Sequence, residues 1–541
     1  VTDYDLRLIC SRSGAILFAI LVFHQACVGQ DIDHRCGYSD RSSTELRSKI
    51  SEGVQQLRPS LPRFADDEQG RFRVHYAIDG PDAVPALDNN LDGVPDYVEV
   101  CLAALEHAWR VEVDTLGYLP PPSDAGAGGS NALDVYVRDL SKAGPGGSSY
   151  YGLTSLDVRL QSTPIETYTS WLEVDNDFSM SDRDASGNPS FATFGEDALR
   201  VTCAHEFHHT IQSGRYGVAG MNRSLYELTS TWMEIRCWPN IRDWAAYTTR
   251  LLLTPEAWPL SSESANTGYV WGWFGNALSA AHPNILRTMW ELIATDMRAT
   301  AALVEACKRH NATLSGIFCS SLQWLYRTGS RGAGNPLLPG AELLPEIRFF
   351  SDRPVAAPTA TEIGRLLGFE VRAFRFSVPS SSSRPPVSVG VVVCDADEAG
   401  YANQGSGPDG RYRIDLTNAP SGSDMRIDGT QWGLRVESAY CSHVEGAQTI
   451  SLSGPYPQPL SLQRTRRVYI PVTNEPIGTR ITLSLLTLSG AALRSSNTTV
   501  ILDDDRIVAT FDLEGELPPG TYLVRSESSN STTLHKVILQ R

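Results

Sequence analysis

Basic residues are scarce in this chain and nowhere clustered. Its 46 Lys and Arg stand against 62 Asp and Glu, a net charge of −16 over 541 residues. A nucleic-acid binder needs a stripe of Lys and Arg to meet phosphates, so nucleic acid is excluded as a partner. Long apolar runs are missing too. The N-terminal run "AILFAILVF", Ala15–Phe23, is about half the length a membrane-spanning helix needs, so no transmembrane anchor is expected. No cysteines show zinc-finger spacing, and no period of roughly 20–50 residues recurs, which excludes finger modules and solenoid or propeller arrays.

What is present begins with that short run. Arg7 and Arg12 precede it and the small-residue stretch "ACVGQ" follows, the form of a signal-peptide core. The expectation is a signal peptide over 1–29, cut near Gly29, and a secreted chain, extracellular or at the cell surface. Cleavage removes Cys10 and Cys27 and leaves cysteines at 36, 101, 203, 237, 307, 319, 394 and 441. An even number in an exported chain reads as disulfides. Proximity suggests Cys307–Cys319 and Cys394–Cys441 as local clips, with Cys203–Cys237 as a staple between two segments taken up below.

The length implies roughly two to four domains. Over 30–345, helical and strand patterns mix. Tyr97–Val113, Leu225–Cys237, Tyr269–Ala281, Ile285–Thr295 and Thr300–Arg309 read as helices, Asp134–Leu140 and Thr169–Asp177 as strands. From 346 to 455 helical periodicity gives way to short Val/Ile/Phe runs among Ser, Pro, Gly and Asp, the signature of a β-sandwich module. A Pro-rich joint at "GPYPQPLSLQ" opens a last β-sandwich unit, 456–541. The fold class is multidomain α+β, one mixed domain followed by two all-β modules.

The segment "VTCAHEFHHTIQSGRY", 201–216, contains His205-Glu206-Phe207-His208-His209, an H-E-x-x-H match. A chain of this composition would hold on the order of 0.01 such matches by chance. On a helix, positions i and i+4 share a face, so His205 and His209 aim at one ion. Glu206 stands beside the first ligand, able to take a proton from a metal-activated water without binding the metal. Ala198, Leu199, Val201, Ala204, Phe207 and Ile211 supply an apolar stripe; Glu196 and Asp197 favour the helix start, and Gly214 is the expected end. His208 lies off the metal face and reads as a packing or hydrogen-bonding residue. A third ligand is expected on the following helix, "SLYELTSTWMEIRCW". It offers Glu227 and Glu234, two helical turns apart and so facing the same way.

A second oxygen-rich stretch, "DNNLDGVPDYVE", follows the twelve-residue calcium-loop pattern. Asp88, Asn90 and Asp92 take positions 1, 3 and 5, Gly93 the sharp turn, Val94 a backbone carbonyl, Asp96 position 9 and Glu99 position 12. A helix from Tyr97 leaves the loop, but "DGPDAVPAL" cannot form an entering one, so the loop reads as structural.

The H-E-x-x-H helix followed by a glutamate-bearing helix resembles the gluzincin metallopeptidases, and a second acid seven residues on resembles their aminopeptidase-like branch. That resemblance implies a zincin-like domain over 30–345, Glu227 as the third zinc ligand and Glu234 as an acid behind the ligands. The order "RVHYAIDGPDAV", "DGVPDYVE", "LGYLPPP", "DVYVRDL", "YYGLT", "VDNDF", "VTCAHEFHHTIQ", "YELTSTWMEIRCWP" is similar to that of a family of secreted bacterial metalloproteases. The C-terminal stretch, with Gly520–Val524 and Lys536–Arg541, resembles the sorting domains of the type IX secretion system, although "IPVTNEP" stands where their Tyr-Pro-Asn-Pro opening is usual. It implies the secretion machinery as a partner.

Together these readings point to a secreted zinc metallopeptidase acting on protein or peptide substrates, with calcium as a structural ion. His205, His209 and Glu227 would hold Zn²⁺ and Glu206 would move the proton. Tyr269 in "GYVWGWFGNAL" and His282 in "SAAHPNIL" are candidates for a second oxyanion donor. The rival reading is a calcium-stabilised adhesin or binding protein whose metal site is structural or a relic.

Overall fold

The computed structural model describes residues 36–38, 42–54, 56–160, 165–218 and 222–354, and beyond them 359–378, 387–394, 398–404, 410–417, 424–429, 440–444, 460–461, 467–472, 475–487, 492–503, 506–513, 517–518, 520–528 and 532–540. The expected signal peptide lies outside these residues. The chain forms two compact units, one of residues up to Ile347 with 367–370 and 397–408, the other of the remaining residues from Arg348 on.

In the first unit, helix α1 (Thr44–Ser51) precedes strands β1 (Arg63–Asp66) and β2 (Phe72–Tyr76), helix α2 (Asp96–Trp109), and strands β3 (Leu133–Arg138), β4 (Gly152–Arg159) and β5 (Tyr168–Asp175). The sheet order is β1-β2-β3-β5-β4. β2, β3 and β5 run parallel, while β1 and β4 are antiparallel edges. Every residue of β5 is buried. β4 is also buried through Asp157. One face of the sheet is covered by α2, which turns Val98, Cys101, Leu105 and Ala108 inward, the spacing of a single helical face. Phe72 of β2 meets Trp109 of α2 at 5.9 Å.

Then come helices α3 (Gly195–Ile211) and α4 (Arg223–Cys237). They are followed by α5 (Trp244–Leu253), α6 (Ala265–Trp271), α7 (Phe274–Ala281), α8 (Ile285–Ile293), α9 (Ala299–Arg309) and α10 (Leu314–Tyr326). The expected helix Tyr269–Ala281 is two helices, broken at Gly272, where a Cβ would run into Thr231 of α4. The expected helix Tyr97–Val113 also changes character. Past Trp109 it widens into a π turn, Arg110–Thr115, that buries Glu112.

Cys203, Cys237 and Cys307 are free thiols, so the expected Cys203–Cys237 and Cys307–Cys319 clips are absent. Cys203 on α3 faces Cys101 on α2 instead, with sulfurs 3.8 Å apart. Packing of the two helices decides that pairing, which proximity along the chain could not. The side chains of Cys394 and Cys441 lie outside the described residues.

Beyond residue 350 the described strands sort into two groups that share no sheet. Those between Ser351 and Val444 form sheets of four and three strands, and those between Leu460 and Gln540 form sheets of five and three. The last group has its own core. Ile481, Leu483 and Leu485 alternate inward on one strand and meet Val468, Ile470, Phe511, Val524, Val537 and Leu539, the period-two pattern of a half-buried sheet. The terminal strands Gly520–Glu527 and Thr532–Gln540 pair antiparallel. Helix and sheet are thus mixed, with several sheets.

Candidate metal centre

Helix α3 starts at Gly195, and Arg200 pairs there with Glu196 at 2.6 Å and Asp197 at 3.3 Å. It ends at Ile211 and passes into a π turn, Gln212–Tyr216. The chain leaves at Gly217, whose φ of 94° suits glycine alone. Gly214, the expected terminator, sits inside that turn, where a Cβ would press on Pro122. From Val201 to Ile211 every residue is buried, as is every residue of α4 from Ser224 to Ile235. Polar groups on such helices must find partners in each other.

The partners are specific. His205 Nδ1 lies 2.7 Å from Glu234 Oε1, and donates to it. Gln212 Nε2 donates to Tyr226 O (3.1 Å) and Thr229 Oγ1 (3.0 Å), which turns its Oε1 toward His209 Nδ1 at 2.7 Å. Both imidazoles therefore carry their proton on Nδ1 and present a lone pair at Nε2. Those two Nε2 atoms are 3.2 Å apart, and Glu227 Oε2 lies 3.1 Å from one and 3.3 Å from the other. Three acceptors at such distances repel unless a cation joins them. A tetrahedral ion with bonds of about 2.0–2.1 Å separates its ligands by about 3.3–3.4 Å. The triangle fits. Glu227 Oε1 is buried without a partner.

In the metal-free protein a proton takes the place of the cation. Burial works against charge on His205, yet Glu227 and Glu234 outweigh it and hold the imidazole up at about 9. Burial likewise pushes Glu227 up, but His209 and His205 draw it down to about 2. Cys36 completes the group. A donor atom from each of Cys36, His205, His209 and Glu227 lies within 4.8 Å of the others, and all four residues are buried. These residues could hold a metal ion.

Glu206 is buried on the same helix and accepts a hydrogen bond from Thr154 Oγ1 of β4 at 2.7 Å. Gly152 lets α3 approach that strand, since a Cβ there would crowd Glu206 and Thr202. His208 points the other way. Its Nδ1 lies 2.7 Å from Glu112 Oε2. Burial, then His209 and His205, push its pKa well down, while burial pushes Glu112 well up. These shifts leave both groups neutral, joined by a single hydrogen bond.

Tyr269 on α6 packs its ring 6.0 Å from His205. His282, at the end of α7, stacks instead on His310 at 4.0 Å and accepts from the Asn284 N–H at 3.2 Å. None of these partners belongs to the histidine–glutamate group, so His282 is not brought to it. Among the residues that sequence reasoning missed, Gln212 carried a signal, one turn beyond His209. Thr154, Glu112 and the role of Cys36 carried none.

In the expected calcium loop, Leu91 and Gly93 have φ of 59° and 93°. Asp88 Oδ2 accepts from Gly93 N at 3.0 Å, Asp92 Oδ1 from Val94 N at 2.8 Å, and Asn90 donates to Glu99 at 2.9 Å. Asp96 opens α2 and turns to Asn89, at 2.9 and 2.6 Å, away from the other loop carboxylates. No three loop carboxylates come within 4.8 Å of one another. Asp88 Oδ1 has no partner. A different acidic group, Asp175, Asp177 and Asp182, does come within that distance, with Asp175 pushed by burial up to about 7.

No protein-family model matches the chain, and no curated protein matches it. Among solved structures it is similar to neural ectodermal development factor IMP-L2, covering 35% of this chain and 88% of that one at 9% identity and a TM-score of 0.10, a likeness too slight to bear on fold or function.

Proposed function

We propose that the chain is a secreted zinc metallopeptidase, its first unit a zincin-like domain. One observation carries this reading: His205 Nε2, His209 Nε2 and Glu227 Oε2 converge at 3.1–3.3 Å with Glu206 beside them. Two imidazoles and one carboxylate are a donor set that suits zinc. A zinc ion held there would acidify a water and polarise a peptide carbonyl. Glu206 would take a proton from the attacking water and pass it to the leaving amine, its carboxylate steadied by Thr154. Glu234 and Gln212 keep the two imidazoles in the ligating tautomer. Tyr269 is the remaining candidate for an oxyanion donor. Calcium in the 88–99 loop would satisfy Asp88 Oδ1 and stiffen the entry to α2, and the last β unit would serve the secretion machinery.

Metal analysis of the purified chain and hydrolysis of casein test the proposal together. Glu206→Gln is expected to keep the metal and lose hydrolysis; Glu227→Ala is expected to lose both. Full activity in Glu206→Gln removes that residue from proton transfer. Undiminished metal in Glu227→Ala removes the third ligand.

A second reading, a binding protein with a structural metal, is favoured by the burial of all four donors, because structural zinc sites are closed by four protein ligands.

A further inference from the structure

Cys36 reaches the centre from far along the chain, and the way it is held is informative. Gly37 N donates to Gly152 O at 3.1 Å, and Cys36 bridges Gly152 in parallel, so this segment lies along the outer edge of β4. Gly37 must be glycine, because a Cβ there would run into Leu153. Tyr38 is fully buried, with its ring stacked on His209 at 4.2 Å and nearly parallel to it, at 10°. Its N–H donates to Cys36 Sγ at 3.3 Å, although burial, then Glu206 and Glu227, push the thiol well up, so without a metal the sulfur keeps its proton. Ser42 Oγ donates to Tyr38 O at 2.7 Å, and Arg47 on α1 pairs with Glu166 at 2.6 Å.

We infer that Cys36 is the fourth metal ligand and that residues 36–38 hold the site shut, so that this chain is a latent form. The inference rests on the metal centre proposed above. A hydrolytic site needs one coordination position open to water, whereas a closed tetrahedral set leaves none. Thiolate is a strong ligand for zinc and fills that position with its sulfur once its proton has left to solvent. An extended peptide docks by adding to a free sheet edge, and Gly37 already uses the Gly152 carbonyl on that edge. One segment therefore blocks both things a peptide substrate requires, the open position and the strand to pair with. Leaving the β4 edge frees both.

The test uses the full chain loaded with cobalt(II) in place of the native metal, read by absorption. Wild type is expected to show a thiolate-to-cobalt charge-transfer band, and Cys36→Ser to bind cobalt without it. In the zinc-loaded chain, Cys36→Ser and Gly37→Ala are both expected to raise casein hydrolysis above wild type. A thiol reagent followed by peptide mapping guards against a misfolded variant: in wild type, Cys36 should react only after chelation. Cobalt bound with identical spectra in wild type and Cys36→Ser overturns the ligand assignment and leaves the metal centre standing. No cobalt bound in either overturns both. A lost band without any gain in hydrolysis overturns latency, and Cys36 equally reactive with and without metal overturns the closed site.

Discussion

His208 and His209 are neighbours on one helix and meet opposite electrostatic conditions. His209 looks onto Glu227 at 3.3 Å, while His208 is enclosed with a glutamate that burial keeps protonated. The Glu112–His208 bond is thus neutral on both sides, and its cost shows as a pH effect. Glu112 has a folded pKa well above its unfolded value. The folded state therefore binds the extra proton, and stability falls as pH rises past about 4.3, where the unfolded glutamate ionises. Glu112→Gln keeps a donor toward His208 and removes that penalty. Thermal melts should show the variant gaining on wild type as pH climbs from about 4 to 8. A gap that stays constant over that range would mean Glu112 is ionised in the folded chain.

At the scale of elements, the centre is a product of how closely α3, α4 and α6 approach. Small residues stand at the crossings. Gly152 brings β4 against Glu206 and Thr202, and Gly272 brings the turn after α6 against Thr231. Gly268 is the sharpest case, because a Cβ there would meet the Ser224 carbonyl and the Glu227 Cβ at 2.6 Å, inside α4. Neither backbone nor a buried helix gives way cheaply, so Gly268→Ala is expected to cost about 1–3 kcal/mol of stability in denaturant titrations. It should also weaken metal binding, because the displaced residue is the proposed third ligand. Unchanged metal affinity alongside the stability loss would show that Glu227 is not positioned by α6.

Over the whole molecule, the proposed metal would link binding to folding. A ligand bound only by the folded state raises the melting temperature by mass action. Chelation should lower it in wild type and leave Glu227→Ala unmoved. The metal-free chain has its own pH dependence. His205 is raised from 6.5 to about 9, so its ion pairs stabilise fully below 6.5 and are lost as pH rises through 9. Glu227, lowered from 4.5 to about 2, records the same interaction from the other side, present above 4.5 and lost as pH falls through 2. Metal must displace the His205 proton and, with Cys36 as fourth ligand, the thiol proton as well, so uptake near neutral pH should release about two protons in wild type and about one in Cys36→Ser, measurable by calorimetry in buffers of different ionisation enthalpy. The melting gap between loaded and metal-free chain should widen from pH 7 to 9.

The H-E-x-x-H pair was legible because a helix repeats every 3.6 residues, and His205 and His209 need only their own helix to share a face. The strands expected at Asp134–Leu140 and Thr169–Asp177 were legible for the same local reason. Glu227 and Glu234 were visible as a pair two turns apart. Which of them faces Nε2 and which Nδ1 depended on how α4 lies across α3. The Cys101–Cys203 contact, the π turn that carries Glu112 to His208, the broken helix at Gly272 and the arrival of Cys36 on the β4 edge were decided by tertiary structure alone. Local periodicity records which way a side chain points along its own element. Contacts between residues tens to more than a hundred positions apart come from packing that no short window contains.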